Sequence, residues 1–435
     1  MSLKEFTRNR WTKFGFWALL YVLWVIWLGN FWWLFGLIVV FDVFITQKVH
    51  WNFWKKRYKE GEKHSALNDW LDAIVFAVIV VTFINTFFFQ AFRIPSSSME
   101  RTLYTGDHLF VSKLTYGPRL PQTPLTIPFT HNVIFGKESY STLIQNDYKR
   151  LKGFRNVERG DNVVFGFPHG DTVIRRAPAE DYHALVRALG EDAVSRFGEI
   201  VVRPMDKKDH YVKRCVALPG DTLEVRDGLV WVNGEQQEVY EGVQLSYRVV
   251  TNGQRINFRI LDELGINAME LYYDPSLPGY PAMMLTSEAL AKVGQIPSVV
   301  KIEDNLETDP KLCSKEIFPF TEDSGWTRDF YGPLWIPKKG ATVSLNSDNL
   351  PLYERIITVY EQSDLQEALK KGEYTFKQDY FFMMGDNRHN SLDSRYWGFV
   401  PEDHVVGKPV VVWLSTDSGK KFPKNIRWGR FLKFV

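Results

Sequence analysis

Ile94-Pro95-Ser96-Ser97-Ser98-Met99 begins just past an apolar run of membrane length and opens a long tract of short strands. The chain changes character at this point. Pro95 fixes its own φ and pushes Ile94 toward an extended conformation, so the three hydroxyls are expected on a stiff, strand-like segment. Alone, such a cluster reads as a polar turn after a membrane helix.

Upstream, residues 14–46 carry a single charge, Asp42. One straight helix over them would measure about 50 Å against a hydrocarbon core of about 30 Å. Gly29-Asn30 interrupts the run, which favours two short spans, 14–29 and 31–46. At about 16 residues each falls short of the usual ~20, so the number of crossings before residue 47 stays open. A third run, 71–90, is charged only at Asp72. The loop 47–70 is basic through Lys48, Lys55, Lys56, Arg57, Lys59 and Lys63, and the N-terminal tail through Lys4, Arg8, Arg10 and Lys13. The positive-inside rule places both in the cytoplasm and everything after Gln90 on the outer face. No small-residue cleavage pattern follows the first run, so residues 1–91 read as a multi-pass anchor in the cytoplasmic membrane and not as a removable leader.

Downstream, 107–113, 162–167, 210–217 and 228–232 are β-branched or aromatic runs closed by Gly, Pro or Asp. Helical periodicity is confined to about 180–196 and 363–371. The expectation is a mainly β domain over 92–222 and 376–435, with 118–158 and 223–375 as insertions, the second forming an accessory region. A formal charge of +2 offers no field for nucleic acid. Cys215 and Cys313 stand in no metal or redox spacing, and a disulfide between them is permitted outside the cytoplasm. No metal or cofactor is called for.

A serine hydroxyl attacks only when a base takes its proton. His108, His210, His389 and His404 each lie beside a motif, but no G-x-S-x-G elbow accompanies them, and they read as packing or surface residues. A lysine serves if its pKa falls by about 3 units, which burial away from carboxylates supplies. In Tyr211-Val212-Lys213-Arg214-Cys215-Val216 a strand places Tyr211 and Cys215 on the face of Lys213, and neither is an acid.

Ser96-Ser97-Ser98-Met99, Tyr211-Val212-Lys213-Arg214 followed by Leu218-Pro219-Gly220-Asp221, and Gly385-Asp386-Asn387-Arg388-His389-Asn390-Ser391-Leu392-Asp393-Ser394-Arg395 occur in that order. Together they resemble the boxes of the type I signal peptidases, the membrane-bound serine proteases that remove leader peptides from exported proteins. The resemblance implies a coiled, mostly antiparallel β-fold, with Ser98 as nucleophile and Lys213 as general base. It further implies an oxyanion site from the Ser98 N–H and the Ser96 hydroxyl, and Ser391 orienting the base. Asp393 and Arg395 would be a supporting ion pair, and Met383 or Met384, just before Gly385, would pack along the lysine stem. Gly106-Asp107 and Arg159-Gly160-Asp161 match scaffold turns. Its implied substrates are exported preproteins cut after small residues in an Ala-X-Ala pattern, and its implied surroundings are the lipid bilayer near the secretion translocon.

Ser97 and Met99-Glu100-Arg101-Thr102-Leu103 depart from the usual first box, and His389 stands where an acid is common. Glu100 is expected to point away from the lysine. From Gln90 to Ser98 the chain reaches at most about 28 Å, which keeps the nucleophile near the membrane surface. The basic, aromatic segment 420–435 suits either docking on anionic headgroups or an ordinary terminal segment. A self-cleaving Ser/Lys regulator would need a DNA-binding domain that membrane runs replace here. An inactive anchored assembly protein would not need both Ser98 and Lys213.

Overall fold

The computed structural model describes residues 9–49, 66–266, 271–276 and 279–435; Lys4, Arg8 and the basic residues 55–63 lie outside these. Helix α1, Arg10–Leu28, starts where the Asn9 side chain accepts from the Trp11 N–H and stops where Gly29 turns left-handed (φ 65°). Asn30 then caps a 3-10 segment, Phe31–Gly36, which runs on through Leu37–Phe41 and a wide turn, Asp42–Thr46. Phe41 meets the rings of Trp11 and Phe14 at 6.3 and 5.4 Å, so this stretch returns along α1 to its starting end. Asp42, the one charge in the run, accepts from the backbone N–H groups of Lys48 and Val49 where the return ends.

Helix α2, Ala66–Phe87, meets α1 at their C-terminal ends, where Trp24 lies 6.2 Å from Phe83 and 6.0 Å from Phe87. Both helices are long and apolar enough to cross a membrane. The helical limits differ from the expected 14–29 and 71–90. Helix α1 is extended backward by its Asn9 cap. Helix α2 gives way at Phe88, whose carbonyl accepts from the Lys113 N–H at 2.8 Å, and the next residues join a sheet. That ladder partner is distant in sequence, so apolarity alone could not reveal the switch.

The sheet consists of β1 (Phe89–Arg93), β2 (Asp107–Ser112), β3 (Asn162–Gly166), β4 (His210–Ala217), β5 (Tyr380–Met384), β6 (Val400–Pro401), β7 (Val405–Ser415) and β8 (Lys433–Phe434). Their order is β1-β2-β7-β3-β4-β5-β6, with β8 on β7, and every pair is antiparallel. The register slips at His108/Leu109, Phe110/Val111, Val405/Gly407 and Phe382/Met383. Each bulge adds local twist, which curls the sheet. β7 passes from β2 to β3 at Gly407, where a Cβ would sit 2.4 Å from the Ser112 carbonyl oxygen. Only glycine permits that crossing.

One side of the curl is filled by Val163, Phe165, Cys215, Phe381, Met383 and Trp397. Ile94, Met99, Leu103, Leu109, Val164 and Val412 pack as a second cluster under the serine segment. On the reverse of β4 and β5, Ala217, Phe382 and Met384 join Leu223, Val225, Tyr331, Leu334, Tyr353 and Phe376 in one core. Much of 223–375 is therefore continuous with the sheet. Among the described residues of 223–375, a separate core, including Val249, Leu261, Met283, Leu285 and Val293, exists only for the lobe built on Leu245–Thr251, Gly279–Leu285 and Val299–Asp304. Cys215 and Cys313 belong to different clusters and are both free. In the terminal segment, Arg430 is buried on Asp107 at 2.6 Å, while Phe422, Trp428 and Phe434 are exposed.

Candidate active site

β1 ends at Arg93, and Pro95, which has no N–H to give, is followed by a bend at Ser96 and Ser97 and a turn from Ser98. The serines thus occupy the bend after a strand and not the strand itself. The turn is closed by N–H bonds from Glu100 to the Ser97 carbonyl and from Leu103 to the Met99 carbonyl. The loop 386–391 holds the segment from its other side: Asn387 donates through its backbone to the Ser98 carbonyl and through its side chain to that of Ser97, and the Asn390 amide donates to Ser97 Oγ. No described residue accepts from the Ser98 N–H.

Lys213 lies on β4 with its Nζ 2.5 Å from Ser98 Oγ, 115 residues away in sequence. Both residues line a cleft of about 500 Å³, together with Ser96, His389, Asn390 and Ser391. Ser96 Oγ stands 3.5 Å from Ser98 Oγ. Lys213 is only 4% exposed. Burial pulls its ammonium down to about 8, against an upward influence from Asp393 and Asp386 and a further downward one from Arg395.

Two carboxylates do stand within electrostatic reach of Lys213, although neither lies on its strand. Each is claimed by an arginine. Asp393 takes a bidentate bond from Arg395 at 2.9 and 2.8 Å, and also accepts from the Gly385 N–H. Asp386 takes one from Arg214 at 2.7 and 2.6 Å and accepts from the Thr102 hydroxyl. Desolvation outweighs the pull of both carboxylates at the lysine, and Arg395 offsets part of it. Gly385 is needed for space: a Cβ there would sit 2.2 Å from Ser391 Oγ and 2.6 Å from the Ser98 carbonyl oxygen.

Ser391 reaches the cleft, but its hydroxyl donates to the Leu392 carbonyl at 3.4 Å, and no hydrogen bond joins it to Lys213. Met384 packs in the core on the reverse of the sheet, whereas Met383 shares the cluster of Cys215 and Tyr211, the neighbours of Lys213 on its own face. The Phe382/Met383 bulge and strand alternation decide between the two methionines. Glu100 accepts from the Thr105 N–H on its own turn.

None of the four histidines bonds to Ser98. His108 packs on Trp413, His210 lies between the rings of Phe92 and His131, and His404 is held by Lys208 and Asp403. His389 accepts at Nδ1 from the Ser246 N–H and donates at Nε2 to Asp329 at 3.0 Å. Ser246 lies in the first strand of the separate lobe and Gln244 pairs with Asn387, so that lobe buttresses the loop holding Ser98. Sequence reasoning passed over Asp329 and the Arg214–Asp386 pair. For the pair a signal existed, since Arg214 adjoins the lysine and Asp386 lies in the third of the matched boxes; for Asp329 there was none.

The family model described as "Signal peptidase, peptidase S26" matches residues 67–259 and 336–414. Among curated proteins, Signal peptidase I of Haemophilus influenzae is 24% identical over 378 residues, which span 86% of this chain and 77% of the relative. Signal peptidase I of Helicobacter pylori (strain 26695) is 25% identical over 391 residues, or 85% of this chain and 91% of the relative. That of Aquifex aeolicus is 23% identical over 338 residues, 78% of this chain and 80% of the relative.

Proposed function

From the premise that the chain belongs to the peptidase S26 family of signal peptidases, we propose that Ser98 and Lys213 are the dyad with which this serine endopeptidase removes signal peptides from preproteins. The 2.5 Å approach of a buried lysine to a serine in a cleft carries this reading. The neutral amine accepts the Ser98 proton as Oγ attacks the scissile carbonyl. Negative charge gathers on the carbonyl oxygen, where the Ser98 N–H and the Ser96 hydroxyl donate; one such donor is worth about 3 to 4 kcal/mol. The Lys213 ammonium then protonates the departing amine, which is the new N-terminus of the mature protein. The acyl group left on Ser98 is released when Lys213 takes a proton from water.

Arg395 and Arg214 engage the two carboxylates that would otherwise hold the amine as a cation, and Met383 shields its stem. Ser391, which lines the same cleft, steadies the amine once substrate orders it. Cleavage follows small side chains in an Ala-X-Ala pattern, a reading supported by the apolar lining from Ile94, Leu109 and Val164. Helices α1 and α2 with the return stretch 31–46 form a multi-pass anchor, supported by the pairing of Phe41 with Trp11 and Phe14. The β-domain works on the extracytoplasmic face of the cytoplasmic membrane, beside the lipid and near the translocon that delivers preproteins.

Detergent-solubilised protein is expected to cut an exported preprotein once, after its leader, as read by the mass and N-terminus of the product. Replacing the small residue before the cut by Leu should slow cleavage about 100-fold, the scale on which a pocket rejects excess volume. Cleavage at scattered sites, or indifference to that replacement, would count against the assignment.

A further inference from the structure

Between the last turns of α2 and the 118–131 stretch lies a second cavity, of about 760 Å³. It touches the catalytic cleft only at Phe92, Arg93 and His210. α2 is apolar through its middle, yet Thr82, Asn85 and Thr86 all line this cavity. Spaced i, i+3 and i+4, they form one polar stripe on a single helix face, at the end where α2 meets the β-domain.

The opposite wall is cationic. Setting histidines aside, Arg93, Lys113, Arg119 and Lys207 line the cavity against Asp206 and Asp209. Asp209 is balanced by Arg203 at 2.8 Å, and Asp206 accepts from Thr123. Lys207 is 6% exposed, and its ammonium meets the Tyr140 ring at 5.3 Å. Neither side-chain amine, of Lys207 or of Lys113, has a hydrogen-bond partner among the described residues. Burial, then the charge of Arg119, pulls Lys113 down to about 7. Lys207 is a buried ammonium without a hydrogen-bond acceptor, which is costly, and with the half-buried Lys113 in the same cavity it calls for an anion.

Because the polar stripe ends a helix of membrane length, the cavity sits at headgroup depth, where the abundant anion is a phosphodiester. We propose that this cavity binds the phosphate of a membrane phospholipid, held by Lys113 and Lys207 over the Thr82–Asn85–Thr86 stripe, with the acyl chains leaving past the exposed Ile127 and Phe129. This rests on α2 spanning the bilayer and not on the identity of the catalytic dyad. A seated headgroup would also brace Arg93 and His210 at the mouth of the cleft.

The test uses the full-length protein, delipidated in detergent and examined by native mass spectrometry with added phosphatidylglycerol, diacylglycerol of the same chains, or inorganic phosphate. One phospholipid per chain is expected, with no retention of diacylglycerol. The double variant Lys113→Met, Lys207→Met should hold it at least tenfold more weakly, with Lys207→Met alone serving if the pair fails to fold. Equal retention by variant and wild type, equal retention of diacylglycerol, or adducts that accumulate without saturating at one would each overturn the proposal. Inorganic phosphate binding as tightly as the lipid would make this a free-anion site and overturn the lipid assignment.

Discussion

Lys213→Met and Lys213→Arg should each lower kcat for preprotein cleavage by about 10⁴-fold or more, as Ser98→Ala should, the scale seen when one member of a hydrolytic unit is removed. The arginine variant is the informative one. It keeps the positive charge and the length, but a guanidinium does not give up its proton in a protein. A lysine acting only as an electrostatic partner of Ser98 would tolerate that exchange; a lysine acting as a base would not. The methionine variant separates chemistry from folding. Lys213 is nearly fully buried among Tyr211, Cys215 and Met383, so an apolar chain of similar volume relieves the desolvation of an ammonium, and thermal stability should hold or rise. Retained activity in either lysine variant, measured with the fold intact, would remove Lys213 from the chemistry.

Arg395→Met should act through both stability and basicity. Asp393 is fully buried, and its bidentate partner also donates to the carbonyls of Arg388 and Arg328. Removing the arginine leaves a buried carboxylate uncompensated, a loss of about 3 to 5 kcal/mol. The effect on Lys213 has a definite sign. Asp393 raises and Arg395 lowers the lysine, so without the arginine the ammonium is favoured, and the pH of half-maximal activity moves upward. At neutral pH each unit of that move costs about tenfold in neutral amine. Asp393→Asn removes the raising influence and leaves the lowering one, so its profile should move to lower pH. Restoring neutrality with both changes should return the midpoint toward that of the parent, which measures the coupling directly. Two shifts of the same sign would show that the pair supports the fold without governing the lysine.

The local patterns were legible. Strand 210–217 appears at the expected residues, because alternating β-branched and aromatic residues closed by Leu218-Pro219-Gly220 need no distant information. The serine and lysine motifs likewise carried their own spacing. What stayed hidden depended on partners far along the chain. The passage from α2 to strand at Phe88 requires the β2 ladder, and the choice of Met383 over Met384 requires a bulge against β4. The carboxylates near Lys213 arrive from a loop 170 or more residues later, each already paired with an arginine. His389 could not be paired with Asp329 by inspection, since only the folding of the intervening lobe brings them together. The Ser391–Lys213 hydrogen bond implied by resemblance is not made between these side chains; the Ser391 hydroxyl donates to the Leu392 carbonyl.

The proton on one amine decides the whole account, and it can be observed. The Lys213 side chain should be titrated by NMR in Ser98→Ala protein carrying isotope-labelled lysine, with Lys213→Met identifying the signal. A midpoint near 8, well below the ordinary lysine value, is the predicted result. A midpoint at or above about 10, leaving the amine charged wherever the enzyme works, would contradict it.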